Sequence, residues 1–220
     1  MVTTSAPVRV LIVDDDALVR AGLAMMLGEF EGISVVGQVA DGTEVVAAVN
    51  QHRPDVVLMD IRMPQMDGLS ATEYLRSRRD PPEVIILTTF DTDSHIQRAM
   101  RAGASGFLLK HTPPPQIARA IRLVAGGEPM LSPEVLRRMM GYVAESGADP
   151  SRERARRSLA LLSNREQAVA LLVGQGRTNS EISEELLMSV ATVKAYVSRI
   201  LTKLDLNNRV QIALLVHDAR

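Results

Sequence analysis

The chain has 220 residues, 46% of them hydrophobic and 23% charged, with a formal net charge of −1, a length that fits one or two domains of about 100–200 residues each. The absence of cysteine excludes disulfides, thiolate nucleophiles and cysteine-ligated zinc, and four scattered histidines (His52, His95, His111, His217) lack metal-ligand spacing. No apolar run approaches the roughly 18 residues of a membrane span, and the N-terminal one ends in three aspartates, so the expectation is a soluble, cytoplasmic protein without signal peptide or membrane association.

In the first half, short runs rich in Val, Ile and Leu alternate with amphipathic stretches. The runs are Val8–Val13, Ile33–Val39, 55–59, Glu83–Thr88 and 105–109. They lack strict polar alternation, the pattern of strands buried on both faces of a parallel sheet. Between them, Leu18, Val19, Gly22, Leu23, Met26 and Leu27 recur at helical spacing, as do Ile96, Ala99 and Met100. Five βα repeats in this length predict an open, doubly wound α/β domain over residues 1–128.

Past Gly126 and Gly127 the character changes. Ser132 and Pro133 read as the N-cap and first residue of a helix. The polar, breaker-rich stretch 145–157 reads as linker, its arginines a solvated charge run within reach of nucleic-acid phosphate. Residues 129–157 are therefore expected to be a linker with one helix, and 158–220 a small all-α domain. There, Ser163 with Glu166 and Thr178 with Glu181 form capping boxes, Ser189 caps a third helix to about Leu204, and Asn207 or Asn208 caps a fourth. The near-neutral total hides a split: residues 1–128 carry 12 basic and 16 acidic side chains, net −4, and residues 129–220 carry 13 and 10, net +3.

In open α/β sheets the binding crevice lies beyond the carboxyl ends of the strands, where strand order reverses. Asp14 and Asp15 follow the first strand, Asp60 the third, Thr88 ends the fourth and Lys110 follows the fifth. Converging carboxylates repel unless a cation sits among them, and an all-oxygen donor set suits a hard ion such as Mg²⁺. A hydroxyl and an ammonium on the same edge suit phosphoryl oxygens. One carboxylate then becomes a candidate nucleophile that forms an aspartyl-phosphate.

These residues, with Met59-Asp60-Ile61-Arg62-Met63-Pro64, Asp67-Gly68, Thr88-Thr89 and the stretch from Gly103 to Lys110, resemble the two-component receiver domain over residues 8 to about 126. The resemblance implies the strand order 2-1-3-4-5. It also implies Asp60 as phosphoacceptor, Mg²⁺ held by Asp14, Asp15, Asp60 and the backbone carbonyl of Arg62, and Thr88 and Lys110 on the phosphoryl oxygens. Phe107 occupies the aromatic switch position, which its packing against the sheet would equally explain. Thr89 stands where a small residue is frequent, and His111 where a proline preceded by a cis peptide is common.

In the second half, two helices separated by a tight turn have helix-turn-helix spacing. The first carries Glu181, Glu184 and Glu185; the second carries Lys194, Arg199 and Lys203 and no acid. Together with Leu162 to Glu166, Gly176 to Ser183 and Leu201 to Leu204, the pattern is similar to the four-helix DNA-binding module of the NarL/LuxR family over residues 160–218. The likeness implies that Lys194, Ala195 and Ser198 face bases and that Thr192, Arg199 and Lys203 lie near phosphate. Tyr196 replaces a usual histidine and Asp205 a usual glycine. The apolar stripe Val210, Ile212, Ala213, Leu215 and Val216 serves either a dimer face or the core.

Both resemblances together imply a transcriptional response regulator rather than an enzyme with its own substrate. It would take a phosphoryl group on Asp60 from a sensor histidine kinase and bind promoter DNA as a homodimer. Two other readings stay open. An orphan regulator would keep this architecture without using phosphate. Asp14 and Asp16 also form the D-x-D of haloacid-dehalogenase-type phosphatases, with Asp14 as nucleophile and Asp16 as acid/base, although Ala17-Leu18 and the stretch after Lys110 depart from that pattern.

Overall fold

The structure, a computed structural model, describes residues 6–78, 80–89, 93–131 and 149–219. The chain divides into two compact units, Met1–Arg137 and Arg138–Arg220.

The first unit alternates β1 (Val8–Val13), α1 (Ala17–Gly28), β2 (Ile33–Val39), α2 (Val45–His52), β3 (Val56–Met59), α3 (Gly68–Arg76), β4 (Glu83–Thr88), α4 (Asp93–Ala102), β5 (Gly106–Leu109) and α5 (Pro114–Ala125). A short 3₁₀ turn, Gly42–Glu44, precedes α2. All strand pairs are parallel, in the order β2-β1-β3-β4-β5. A sixth strand, β6 (Met130–Leu131), extends the sheet beyond β5. The sequence reading placed these residues in the linker; two residues are too short to show a periodicity of their own.

Val56, Val57, Leu58 and Met59 are all at most 1% exposed, and so are Val84, Ile85 and Ile86, because helices cover both faces of the sheet. On one face Val10, Ile12, Leu58, Ile85 and Leu87 pack with Leu23 and Leu27 of α1 and Ile117, Ile121 and Val124 of α5. Each such side chain contributes about 1.5–3 kcal/mol on burial. The helices start where polar caps place them: Asp16 accepts from the Leu18 and Val19 N–H groups, Asp67 from Ser70, and Pro114 occupies the first turn of α5.

The second unit contains α6 (Asp149–Ala160), α7 (Asn164–Gly174), α8 (Asn179–Glu185), α9 (Val190–Leu204) and α10 (Arg209–Asp218). Much of the stretch read as linker is thus helical. From Asp149 it forms α6, buries Ala155 and binds Arg156 to the Ala219 carbonyl at the end of α10. Its breaker Pro150 lies in the first turn, where proline is tolerated. The expected helix start at Ser132 and Pro133 lies outside the described residues.

Both capping boxes form, and Ser189 and Asn208 cap α9 and α10. Val169, Val173, Ile182, Val193, Ile200, Ile212 and Val216 make the core. Ile212 and Val216 therefore serve the core, and Gly174 is required where α7 meets α10, since a Cβ there would lie 2.4 Å from Val216. Asp205 adopts φ 53°, ψ 46° and ends α9 in the left-handed conformation usual for glycine. Asp is among the few side chains that tolerate it.

Candidate functional site

Strand order reverses between β1 and β3, and the acidic residues converge there. Asp14 and Asp15 follow β1 and Asp60 follows β3, with the Asp60 N–H donating to the Val13 carbonyl at 2.8 Å. Carboxylate oxygens of all three lie within 4.8 Å of one another; Asp14 and Asp60 are buried and Asp15 is exposed. Lys110 follows β5 and spans the crevice, its Nζ 2.6 Å from Asp14 Oδ2 and 3.1 Å from Asp60 Oδ2. Its own N–H donates to the Thr88 carbonyl at 2.7 Å, which ties β5 to β4 at this edge. Thr88 is buried at the end of β4.

The electrostatics match this crowding. Burial raises the Asp60 carboxyl above the ordinary range, and the Asp14 charge adds to it, against the opposing pull of Lys110. For Lys110 burial acts to lower the pKa, but hydrogen bonds to Asp14 and Asp60 and their charges outweigh it and hold the ammonium above its usual value. Buried Asp14 and Asp60 share the Lys110 ammonium, and with exposed Asp15 in the same cluster this leaves a surplus of negative charge that a hard cation would neutralise. The donor set, oxygen only, fits Mg²⁺.

The loop after Asp60 is built tightly. Asp60 Oδ1 accepts from the Ile61 N–H at 2.8 Å, and the Gly68 N–H donates to the Ile61 carbonyl at 2.9 Å. A Cβ at Gly68 would fall 1.8 Å from the Asp60 carbonyl, so α3 begins against the backbone of Asp60 only because residue 68 is glycine. Arg62 is exposed, and its guanidinium reaches Thr89 Oγ1 at 3.5 Å. Asp16 caps α1, a use of its carboxylate that leaves the D-x-D reading without its acid/base. Phe107 is fully buried in β5, between Ile86 and Leu131 in the strand register. No cis peptide bond occurs among the described residues, the Lys110–His111 bond included.

Sequence reasoning missed Asp41. It follows β2, is 5% exposed, and accepts from the backbone of Thr43, Gln65 and Met66. Hydrogen bonds from Thr43, then Gln65, hold its carboxyl below the usual range. An aspartate directly before Gly42 signals a local cap, but its long-range partners cannot be read from spacing.

In the second unit α8 and α9 are joined by the turn 186–189, in which Leu187 takes φ 52°. Thr192, Lys194, Ala195, Ser198 and Arg199 are all exposed on α9, while Val193 and Ile200 are buried. Lys203 is also exposed, but its Nζ sits 2.7 Å from Glu166 Oε2. That bond, with the Ser163 N–H and hydroxyl, pulls the Glu166 carboxyl down to about 2. The Arg199 guanidinium lies over the Tyr196 ring, 5.5 Å from its centroid. Arg177 pairs with Glu181 and Glu185 of α8, and the buried Arg209 binds Asn179 and the Arg177 carbonyl, which fixes the start of α10 against α8. No helix among the described residues is long and apolar enough to cross a membrane.

Comparisons with known proteins agree with this geometry. Residues 10–122 match the response regulator receiver domain, and residues 160–216 match the luxR family of bacterial regulatory proteins. The chain is 37% identical to the transcriptional regulatory protein LiaR of Bacillus subtilis over 210 residues, 96% of this chain and 97% of that one. It is 36% identical to the response regulator protein VraR of Staphylococcus aureus, covering 94% and 95% of the two chains. Among solved structures, the response regulator ChrA of a heme-sensing two-component system aligns over 96% of both chains with a TM-score of 0.54 and 34% identity.

Proposed function

Because the chain belongs to the response regulators that join a receiver domain to a LuxR-type DNA-binding domain, we propose that its transcriptional output is set by a phosphoryl group on Asp60, delivered by a sensor histidine kinase. The observation that carries this reading is the Lys110 ammonium bridging Asp14 and Asp60 at the strand-order reversal, with the Lys110 N–H bonded to the carbonyl of buried Thr88.

In the transfer, an Asp60 carboxylate oxygen attacks the phosphorus of a phosphohistidine. The P–O bond to Asp60 forms as the P–N bond breaks, and the imidazole leaves with the electron pair. Lys110 already touches Asp60 and carries positive charge toward the phosphoryl oxygens; the Thr88 hydroxyl belongs to the same edge. Asp14, Asp15, Asp60 and the Arg62 carbonyl would hold Mg²⁺, which supplies charge neutralisation when bound. The work of the site is positioning plus electrostatics, and no separate substrate is turned over.

The new charge competes for Lys110, and Thr88 and Phe107 relay the change along β4 and β5. This shifts a population between two states of the chain and favours a homodimer on promoter DNA, where two α9 helices read half-sites about one helical turn apart. Thr192, Lys194, Ala195, Ser198 and Arg199 form the DNA-facing surface, with Lys203 supporting it from Glu166. The kinase encounter and DNA binding place the protein in the cytoplasm. Asp60→Asn is expected to abolish hydroxylamine-labile labelling by phosphoramidate in the presence of Mg²⁺; undiminished labelling of that variant would overturn the assignment.

A further inference from the structure

The loop that links Asp60 to α3 is held from outside by a residue that follows a different strand, β2. Asp41 Oδ1 accepts from the Thr43 N–H at 3.0 Å, the Thr43 hydroxyl at 2.8 Å and the Met66 N–H at 3.3 Å, while Oδ2 accepts from the Gln65 N–H at 2.9 Å. One carboxylate thus joins the turn after β2 to the loop after β3, across 24 and 25 residues of sequence. Gly42 completes the contact: a Cβ there would fall 2.6 Å from the Met66 carbonyl oxygen, so the loop backbone rests directly on the glycine.

At its near end the loop is tied by the Gly68 N–H to the Ile61 carbonyl, and α3 starts only where Gly68 fits against Asp60. At its far end Asp41 holds Gln65 and Met66. Arg62 lies between the two anchors, so the range over which its peptide planes can turn is bounded at both ends. Without the Asp41 bonds, the Gln65 and Met66 N–H groups lose their acceptor and the anchor next to Arg62 is gone.

We propose that Asp41 is a positioning residue for the phosphorylation site, holding the 61–67 loop so that the Arg62 carbonyl is presented to Mg²⁺. The proposal rests on the reading of Asp14, Asp15, Asp60 and the Arg62 carbonyl as the Mg²⁺ site. Residues that orient a ligand typically change metal affinity by about 10–100-fold when removed. A single backbone carbonyl among several donors places Asp41 at the low end, about tenfold.

The test is calorimetric titration of Mg²⁺ into the full chain, with thermal unfolding of the metal-free protein measured alongside. Asp41→Ala is expected to weaken Mg²⁺ about tenfold, and Asp41→Asn, which keeps the Oδ1 acceptor, to weaken it less. Gly42→Ala, which leaves Asp41 intact but pushes on Met66, is expected to weaken Mg²⁺ as well and serves if Asp41→Ala does not fold. Wild-type affinity in Asp41→Ala or in Gly42→Ala, even with a lowered unfolding midpoint, overturns the proposal, since a purely structural clamp would move stability alone. Absence of Mg²⁺ binding by the wild-type chain, or binding that survives Asp15→Asn, overturns the underlying reading of the site and the proposal with it.

Discussion

At the residue scale, charge is placed where the fold must spend it. Asp60 is buried at the cost of a raised pKa, whereas Glu166 is buried in a setting that favours its ionised form, between the Ser163 N–H and Lys203. The folded-state value of about 2 lies below the ordinary 4.5, so the ionised carboxylate stabilises the fold. That contribution is complete above the ordinary value and is lost as pH falls from there toward 2. Glu166→Gln is accordingly expected to lower the unfolding midpoint at pH 7 by roughly 4–8 °C. The gap to wild type should narrow between pH 7 and pH 3; scanning calorimetry that shows an equal midpoint at pH 7, or a gap unchanged by acid, would count against this assignment. Lys203 was expected on sequence grounds only near DNA phosphate. Its bond to Glu166 was not legible, because the partners are 37 residues apart and on different helices.

At the element scale, α9 packs one face into the core and leaves the other exposed. Val193 and Ile200 anchor it to the unit, and the face bearing Lys194, Ala195, Ser198 and Arg199 is left exposed. Tyr196 sits at the border of these faces, half-buried, with Arg199 resting on its ring. Arg199 is thereby pre-ordered on the exposed side, a contact worth about 0.5–1 kcal/mol at such a site. Fluorescence anisotropy on a bound duplex should show Lys194→Ala weakening affinity and reducing the slope of log K against log salt by about one. Tyr196→Leu should weaken affinity by about two- to fivefold. An unchanged slope in the first variant, or unchanged affinity in the second, would remove these side chains from the DNA surface.

The same scale shows what the sequence makes legible and what it hides. Five strands and the four helices from α7 to α10 announce themselves through apolar runs, capping boxes and Asn208, because those signals are local. β6 was hidden by its length, and α6 by a composition that resembles a linker. The position of Asp60 could be read from its place after β3. The roles of Asp41, Gly42, Gly68 and Arg209 could not, since each depends on what another segment brings within a few ångströms.

At the scale of the whole molecule, a net charge of −1 conceals an acidic half and a basic half. The acidic half gathers carboxylates at a single crevice, and the basic half exposes cations along α9. The absence of cysteine excludes a thiolate acceptor, and Asp14 and Asp60 are the two buried carboxylates of the crevice, both in contact with the Lys110 ammonium. Phosphorylation at Asp60 is proposed to control what α9 does, so the two halves must be thermodynamically coupled: a ligand of Asp60 must change DNA affinity. The most direct measurement is the affinity of the full chain for a duplex selected from genomic DNA, at fixed salt, with and without Mg²⁺ and beryllofluoride, for wild type and Asp60→Asn. The account predicts tighter binding with beryllofluoride in wild type, by about 5–150-fold, and no response in Asp60→Asn. Equal affinity with and without beryllofluoride in wild type would contradict it.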